Sequence, residues 1–262
     1  MKPSDTHSHN RAAWDRLAKR QDRLAKPAKD REFVEPLTSV DGNGWIGSDI
    51  RGKRVLCLAA GGGRQGPIYA AAGGHVTVVD ISPAMLDLDR LVASERGLNL
   101  RTVEASMDDL RSLHDGEFDL VIHPVSTCYV PDVRPVFSEV ARVLCPGGVY
   151  ISQHKQPTSL QTSLKPDGDF YRIEHPYYTD QPLPISSNSN RIREDGTLEY
   201  VHRWEQLLGG MCRAGLVIED VTEPLHAKRD ALPGTFAHRN QFVAAYVRVK
   251  ARRIGTTRRI SF

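Results

Sequence analysis

No apolar run in this sequence approaches the ~20 residues of a membrane-spanning helix. The opening residues, MKPSDTHSHN, have no apolar core, which argues against a secretory signal. Cysteine is scarce. Cys57, Cys128, Cys145 and Cys212 are widely spread with no C-x-x-C pair, so neither a disulfide framework nor a zinc ribbon is expected. They read as reduced, mostly buried thiols of a cytoplasmic protein. H-x-x-x-H, H-E-x-x-H and clustered aspartates are all missing, so no catalytic metal is expected. G-x-S-x-G is missing too, which leaves Ser126 without the ordered triad of a hydrolase. No internal repeat is evident. Charge of one sign is not in large excess either. The net charge is +3, and much of the basic surplus sits in Lys250-Ala-Arg-Arg253 and Arg258-Arg259. A basic tail can hold nucleic acid, but a solvated terminus explains it more simply, so nucleic acid is not the expected partner.

What remains is a chain of 262 residues with ordinary globular composition, long enough for one large domain with an inserted cap. Residues 1–9 read as a disordered tail. From Asn10, read as an N-cap, to Lys26, the positions Trp14, Leu17, Ala18 and Leu24 recur near helical spacing. Trp14 on that stripe is either core or part of a lid. Residues 10–50 read as a helical lid, with a turn-rich stretch over 36–50 carrying a short helix that ends near Trp45.

Strands then alternate with helices. The expected strands are Arg54–Ala59, His75–Asp80, Leu100–Glu104, Phe118–Ile122 and Val149–Gln153, with helices over 83–96 and 135–144 between them. That alternation predicts a doubly wound α/β fold with a parallel sheet. Residues 154–203 break the pattern and read as a cap insertion, with short strands near Tyr171 and over 197–203. A helix over 204–214 and two closing strands, Leu216–Val221 and Gln241–Val249, end the domain near residue 250, the last pair as a hairpin. Residues 251–262 read as the basic tail.

The organising stretch is Arg54 to Gly66. A fully apolar strand runs into Gly61-Gly62-Gly63 and Gly66, which satisfy G-x-G-x-x-G by spacing, and an Ala-rich helix follows. A strand, a glycine turn and a helix N-terminus make a floor for a nucleotide-like ligand. Asp80 ends the next strand, where such a unit places the carboxylate that accepts ribose hydroxyls. The alternative is that Asp80 only caps the next helix, although Ser82-Pro83 is itself a good cap.

Taken together, the glycine loop, Asp80, Phe118-Asp-Leu-Val-Ile122, Leu144-Cys-Pro-Gly-Gly148 and Ala214-Gly-Leu-Val-Ile-Glu-Asp resemble, in order, a class I S-adenosylmethionine-dependent methyltransferase of the small-molecule type. The resemblance covers residues 50–153 and 200–250. It implies a Rossmann-like seven-stranded sheet of order 3-2-1-4-5-7-6 with strand 7 antiparallel. The implied cofactor is S-adenosyl-L-methionine, and the implied partner is a small-molecule acceptor; a nicotinamide dinucleotide is the runner-up ligand. The implied cofactor contacts are Ala60, Gly61, Gly62, Gly63, Gln65, Asp80, Ile81, Ser106, Met107, Asp108 and His123. The family's usual acid in or just after the first strand is replaced here by Cys57 and Ala59-Ala60.

Methyl transfer is an in-line displacement, so much of the work is positioning and excluding water. A base is required only if the acceptor must lose a proton. His123, His154 and His202 fall near the carboxyl ends of the fourth and fifth strands or in the cap, and are the candidate catalytic residues. His123 is as open to a structural reading as to a functional one, whereas His154 and His202, each taken alone, favour a structural or surface role; three in one region lead us to expect at least one that is functional. Tyr171, Tyr177, Tyr178 and Tyr200 either line a ring-binding pocket or pin the cap to the sheet. Glu199 and Glu205 are expected to be solvated. Neither the acceptor nor the oligomeric state follows from these motifs.

Overall fold

The computed structural model describes residues 3–187 and 190–255. Strands β1 (Arg54–Leu58), β2 (His75–Asp80), β3 (Leu100–Glu104), β4 (Phe118–His123), β5 (Leu144–Lys155), β6 (Leu216–Thr222) and β7 (Tyr246–Arg253) form one sheet. Its order is β3-β2-β1-β4-β5-β7-β6, with β7 antiparallel to both neighbours. The helices are α1 (Pro3–Lys19), α2 (Pro36–Val40), α3 (Gln65–Ala71), α4 (Pro83–Glu95), α5 (Arg134–Val143), α6 (Pro157–Gln161), α7 (Trp204–Arg213) and α8 (Phe236–Arg239).

The centre of the sheet, β1, β2 and β4, is buried on both faces. Leu56, Leu58, Val121 and Tyr150 pack with Phe137 and Val140 of α5 and Leu207 and Met211 of α7. On the other face Val55, Cys57, Val76 and Ile122 pack with Tyr69 of α3 and Leu86 of α4. This is why the first strands read as continuous apolar runs and not as alternating ones. Pro146-Gly147-Gly148 lies in a register shift at the start of β5, between the pairs Phe118–Leu144 and Leu120–Val149.

The N-terminus differs most from expectation. Residues 4–9 are not a loose tail, because α1 begins at Pro3. Its buried stripe is Thr6, Asn10, Ala13 and Leu17, spaced i, i+4, i+7, i+11. The Thr6 hydroxyl bonds Tyr200 at 2.9 Å. Asn10 is no N-cap. Its amide donates to the Tyr129 and Leu198 carbonyls and its oxygen accepts from Leu198 N–H at 2.8 Å. The C-terminal boundary also moves. The last strand starts five residues later than expected, after α8, and it absorbs Ala251–Arg253. Arg252 is paired with Glu219 there, so these basic residues belong to the sheet, while Arg258 and Arg259 lie outside the described residues.

The cap over 154–203 holds α6 and isolated bridges, Thr162–Ile173 and Asp167–Phe170, but no strand at 197–203. A buried ionic network anchors it. Lys155 at the end of β5 pairs with Glu194 and, at 2.8 Å, with Glu199; Glu199 also accepts from Arg193 Nε at 3.0 Å. Glu199 is fully buried, contrary to its expected solvation, whereas Glu205 is half-exposed or more. A charge this deep is tolerated only when paired and hydrogen-bonded. Glu199→Ala strands Arg193 and leaves Lys155 with a single carboxylate. We expect it to lower stability by about 3–5 kcal/mol in urea denaturation, the usual cost of breaking a buried pair.

Candidate active site

The carboxyl ends of β1, β2 and β4 meet at the glycine turn. Ala59 enters it with a left-handed φ of +46° and Gly62 sits at +119°, a conformation side chains resist. Gly66 lets α3 press on the sheet, since a Cβ there would stand 2.3 Å from Val78. Asp80 closes the turn: its carboxylate accepts from Gly61 N–H and from Ser82 N–H, each at 2.9 Å. Burial pushes its pKa up to about 6, against the pull of those backbone donors. Capping of α4 falls to Ser82, whose hydroxyl accepts from Met85 N–H at 3.2 Å and donates to Asp15 of α1 at 2.6 Å. Asp80 is therefore left at the wall of a cavity.

That cavity has a volume of about 570 Å³, within the range of small-molecule sites. Ala60, Gly61, Gly62, Gln65, Asp80, Ile81, Ser106, Met107 and His123 all line it. Gly63 and Asp108 do not. Gly63 turns towards α4, where a Cβ would meet the Leu88 carbonyl at 2.8 Å. Asp108 is taken up by His7 of α1, at 3.0 Å, and by Ser106. Helix α1 contributes His7, Asn10 and Trp14 to the lining. Trp14 also packs edge-on against Tyr129, so it is core and cavity wall at once.

The structure separates the three histidines. His123 reaches the cavity. Its Nδ1 lies 2.8 Å from the Tyr150 hydroxyl and its Nε2 2.6 Å from Ser126 Oγ, while Ser126 donates onward to the Pro124 carbonyl. All three groups are satisfied if Tyr150 donates to Nδ1 and Nε2–H donates to Ser126. His154 lies beneath, bonded to Thr127 and Ser152, and does not line the cavity. His202 points its Nε2 at the Thr127 and Val130 carbonyls, fastening the short turn after β4. Burial lowers their pKa values to about 3, 3 and 4 respectively. The cap tyrosines are likewise off the cavity: Tyr171 stacks on His238 and Phe242, Tyr177 accepts from Trp204 N–H, Tyr200 holds Thr6, and Tyr178 is exposed. The aromatic lining comes instead from Trp14, Trp45, Tyr69, Tyr129 and Tyr246.

Asp89 is a group that sequence reasoning missed. It is fully buried on α4, and its Oδ2 accepts from Gly62 N–H at 2.9 Å beneath the glycine turn. Burial raises its pKa to about 7, and its Oδ1 has no partner. The signal was present: Met85, Leu86, Asp89, Val92 and Ala93 form one buried helical stripe, and an acid in such a stripe needs a partner.

A family model described as a methyltransferase domain matches residues 56–152. An uncharacterized methyltransferase of Bacillus subtilis, YbaJ, is 35% identical over 226 residues, covering 80% of this chain and 88% of that protein. The chain belongs to the methyltransferase family. A ubiquinone biosynthesis O-methyltransferase of Aromatoleum aromaticum is 37% identical over 106 residues, a match spanning 40% of this chain and 45% of that enzyme. In fold, an S-adenosylmethionine-dependent methyltransferase from Mesorhizobium loti superposes with a TM-score of 0.63 at 21% identity, over 79% of this chain and 94% of that one. The sheet order and antiparallel seventh strand are those of the S-adenosylmethionine-dependent class I methyltransferase fold. The residues present fit that cofactor. The Asp80 carboxylate stands at the cavity wall, and glycine at 61 keeps open a space where a Cβ would sit 3.0 Å from that carboxylate. Because burial keeps all three histidines neutral, we expect His123, His154 and His202 to show no imidazolium in nitrogen NMR between about pH 5 and 8. A midpoint near 6.5 for His123 would contradict the geometry described.

Proposed function

We propose that this methyltransferase acts on a small-molecule acceptor in the cytoplasm, at an oxygen, nitrogen or carbon atom. The observation that carries the reading is the extent of the cavity. Its lining extends past the glycine turn and Asp80 to Trp45, Ser126, Ile151, Gln153, Tyr246 and Arg248. The glycine-turn end suits the cofactor. Asp80 would accept the ribose hydroxyls, Ile81 and Met107 would pack the adenine with Ser106 at its edge, and Ala60, Gly61, Gly62, Gln65 and His123 would border the methionine part. Gly63 and Asp108 would act indirectly, one shaping the turn and the other holding His7.

The bound cofactor supplies an activated methyl group. The chain's own task is to aim the acceptor atom and keep water out. Ser126 would do the aiming at the end of β4, with its hydroxyl fixed by His123. A histidine held neutral by burial is suited to orienting a hydroxyl rather than to storing a proton. His154 and His202 act as supports of that arrangement.

Incubation with methyl-labelled S-adenosylmethionine and a cell extract tests this reading. We expect protein-dependent label in the fraction that passes a small-pore filter. Label confined to nucleic acid or protein would contradict it, and no turnover at all would favour a cofactor-binding protein without transfer.

A further inference from the structure

The cavity wall beyond the glycine turn carries a cation that no acid among the described residues pairs with. Arg248 of β7 is half-buried on the cavity wall. Its Nε donates to Gln153 Oε1 at 2.7 Å and a terminal nitrogen donates to Asn43 Oδ1 at 3.1 Å. Both partners are neutral amides, and Arg248 has no ion pair among the described residues. The acids that line the cavity are all engaged elsewhere. Asp41 accepts from Trp45 and Ile46 N–H, Asp80 holds Gly61 and Ser82, and Glu194 is bound by Lys155 and Tyr129. Arg191 adds to the positive field. Together with Arg248, and after burial, it lowers the pKa of His226, which lines the cavity as a neutral imidazole.

Position separates this cation from those beside the glycine turn. Lys26 and Arg64 line the other end, where Ala28 N–H bonds the Gly63 carbonyl at 3.0 Å. Strand β7 lies two strands beyond β4, and register sets Arg248 opposite Gln153, one residue past the Ser152–His123 pair. With strands ~4.8 Å apart, Arg248 is about 10 Å across the sheet from the end of β4. A single ring with one substituent spans that gap, and Ser126, Ile151 and Tyr246 line the same cavity.

We propose that Arg248 is the specificity-determining residue of the acceptor compartment and that the acceptor is a ring-sized molecule bearing a carboxylate. The inference rests on the small-molecule reading above. A guanidinium already held by two neutral amides is oriented to offer its remaining N–H groups, and a partly desolvated cation favours an anionic partner.

Titration calorimetry on the full chain tests this, first with S-adenosylhomocysteine and then, on that complex, with benzoate and with benzamide. Benzoate is expected to bind about tenfold or more tightly than benzamide. Arg248→Gln should abolish that preference, Arg248→Lys should keep part of it, and neither should change S-adenosylhomocysteine affinity. Equal binding of the two probes, no binding of benzoate, or a preference that survives in Arg248→Gln would overturn the proposal. Failure of the wild-type chain to bind S-adenosylhomocysteine would instead strike the methyltransferase reading on which it rests.

Discussion

The buried carboxylate of Asp80 is the constraint on which the site depends. It joins the end of β2 to the turn after β1 and to the start of α4 through two backbone donors. Those three pieces come from separate stretches of chain, and they wall one end of the cavity. The arrangement is costly without a ligand. Its folded pKa, about 6, lies above the ordinary value of 3.8. The folded chain thus holds this proton more tightly than the unfolded chain does. Its contribution to stability is present below about pH 4 and is lost as pH rises through about 6. Hydroxyls that donate to the ionised form reverse that preference, so the cost becomes a source of affinity.

Around this point the structure builds a roof from parts with little pattern of their own. Helix α1 is tied to α4 through Asp15 and Ser82, to the third-strand loop through His7 and Asp108, and to the cap through Asn10 and Leu198. The cap is held to β5 by Lys155, Glu194 and Glu199. Glu194 lines the cavity while belonging to this network, so the charge pairs that order the cap also form part of its wall. Asp89 plays a matching part below, bonding the glycine turn from the buried face of α4.

The centre of the sheet was legible because β1, β2 and β4 are short, apolar and buried on both faces, and each is followed by a turn of clear chemistry. The glycine turn and Asp80 were legible for the same reason: backbone geometry restricts what can stand there. The start of α1 was hidden because two members of its buried stripe, Thr6 and Asn10, are polar and satisfied by partners nearly 200 residues away. Glu199 misled in the same way, since its partners Lys155 and Arg193 meet it only in the folded cap. The far wall of the cavity was unreadable because Trp45, Tyr246 and Arg248 come from segments brought together by sheet order. Among the histidines, only His123 had its place at the cavity set by a strand end; His154 and His202 share its neighbourhood but face inward.

The central claim is that an ionised Asp80 holds the cofactor. Titration with S-adenosylmethionine at about pH 5 and pH 7.5, on the wild type and Asp80→Asn, tests it most directly. With a pKa of about 6, only about a tenth of the carboxylate is ionised at the lower pH, so wild-type affinity should rise about tenfold between the two. Asp80→Asn should bind more weakly by about 1.5–3 kcal/mol at pH 7.5, the usual worth of hydrogen bonds to a charged group, and should lose the pH dependence. Unchanged affinity in Asp80→Asn, or a pH dependence that survives the substitution, would contradict the account.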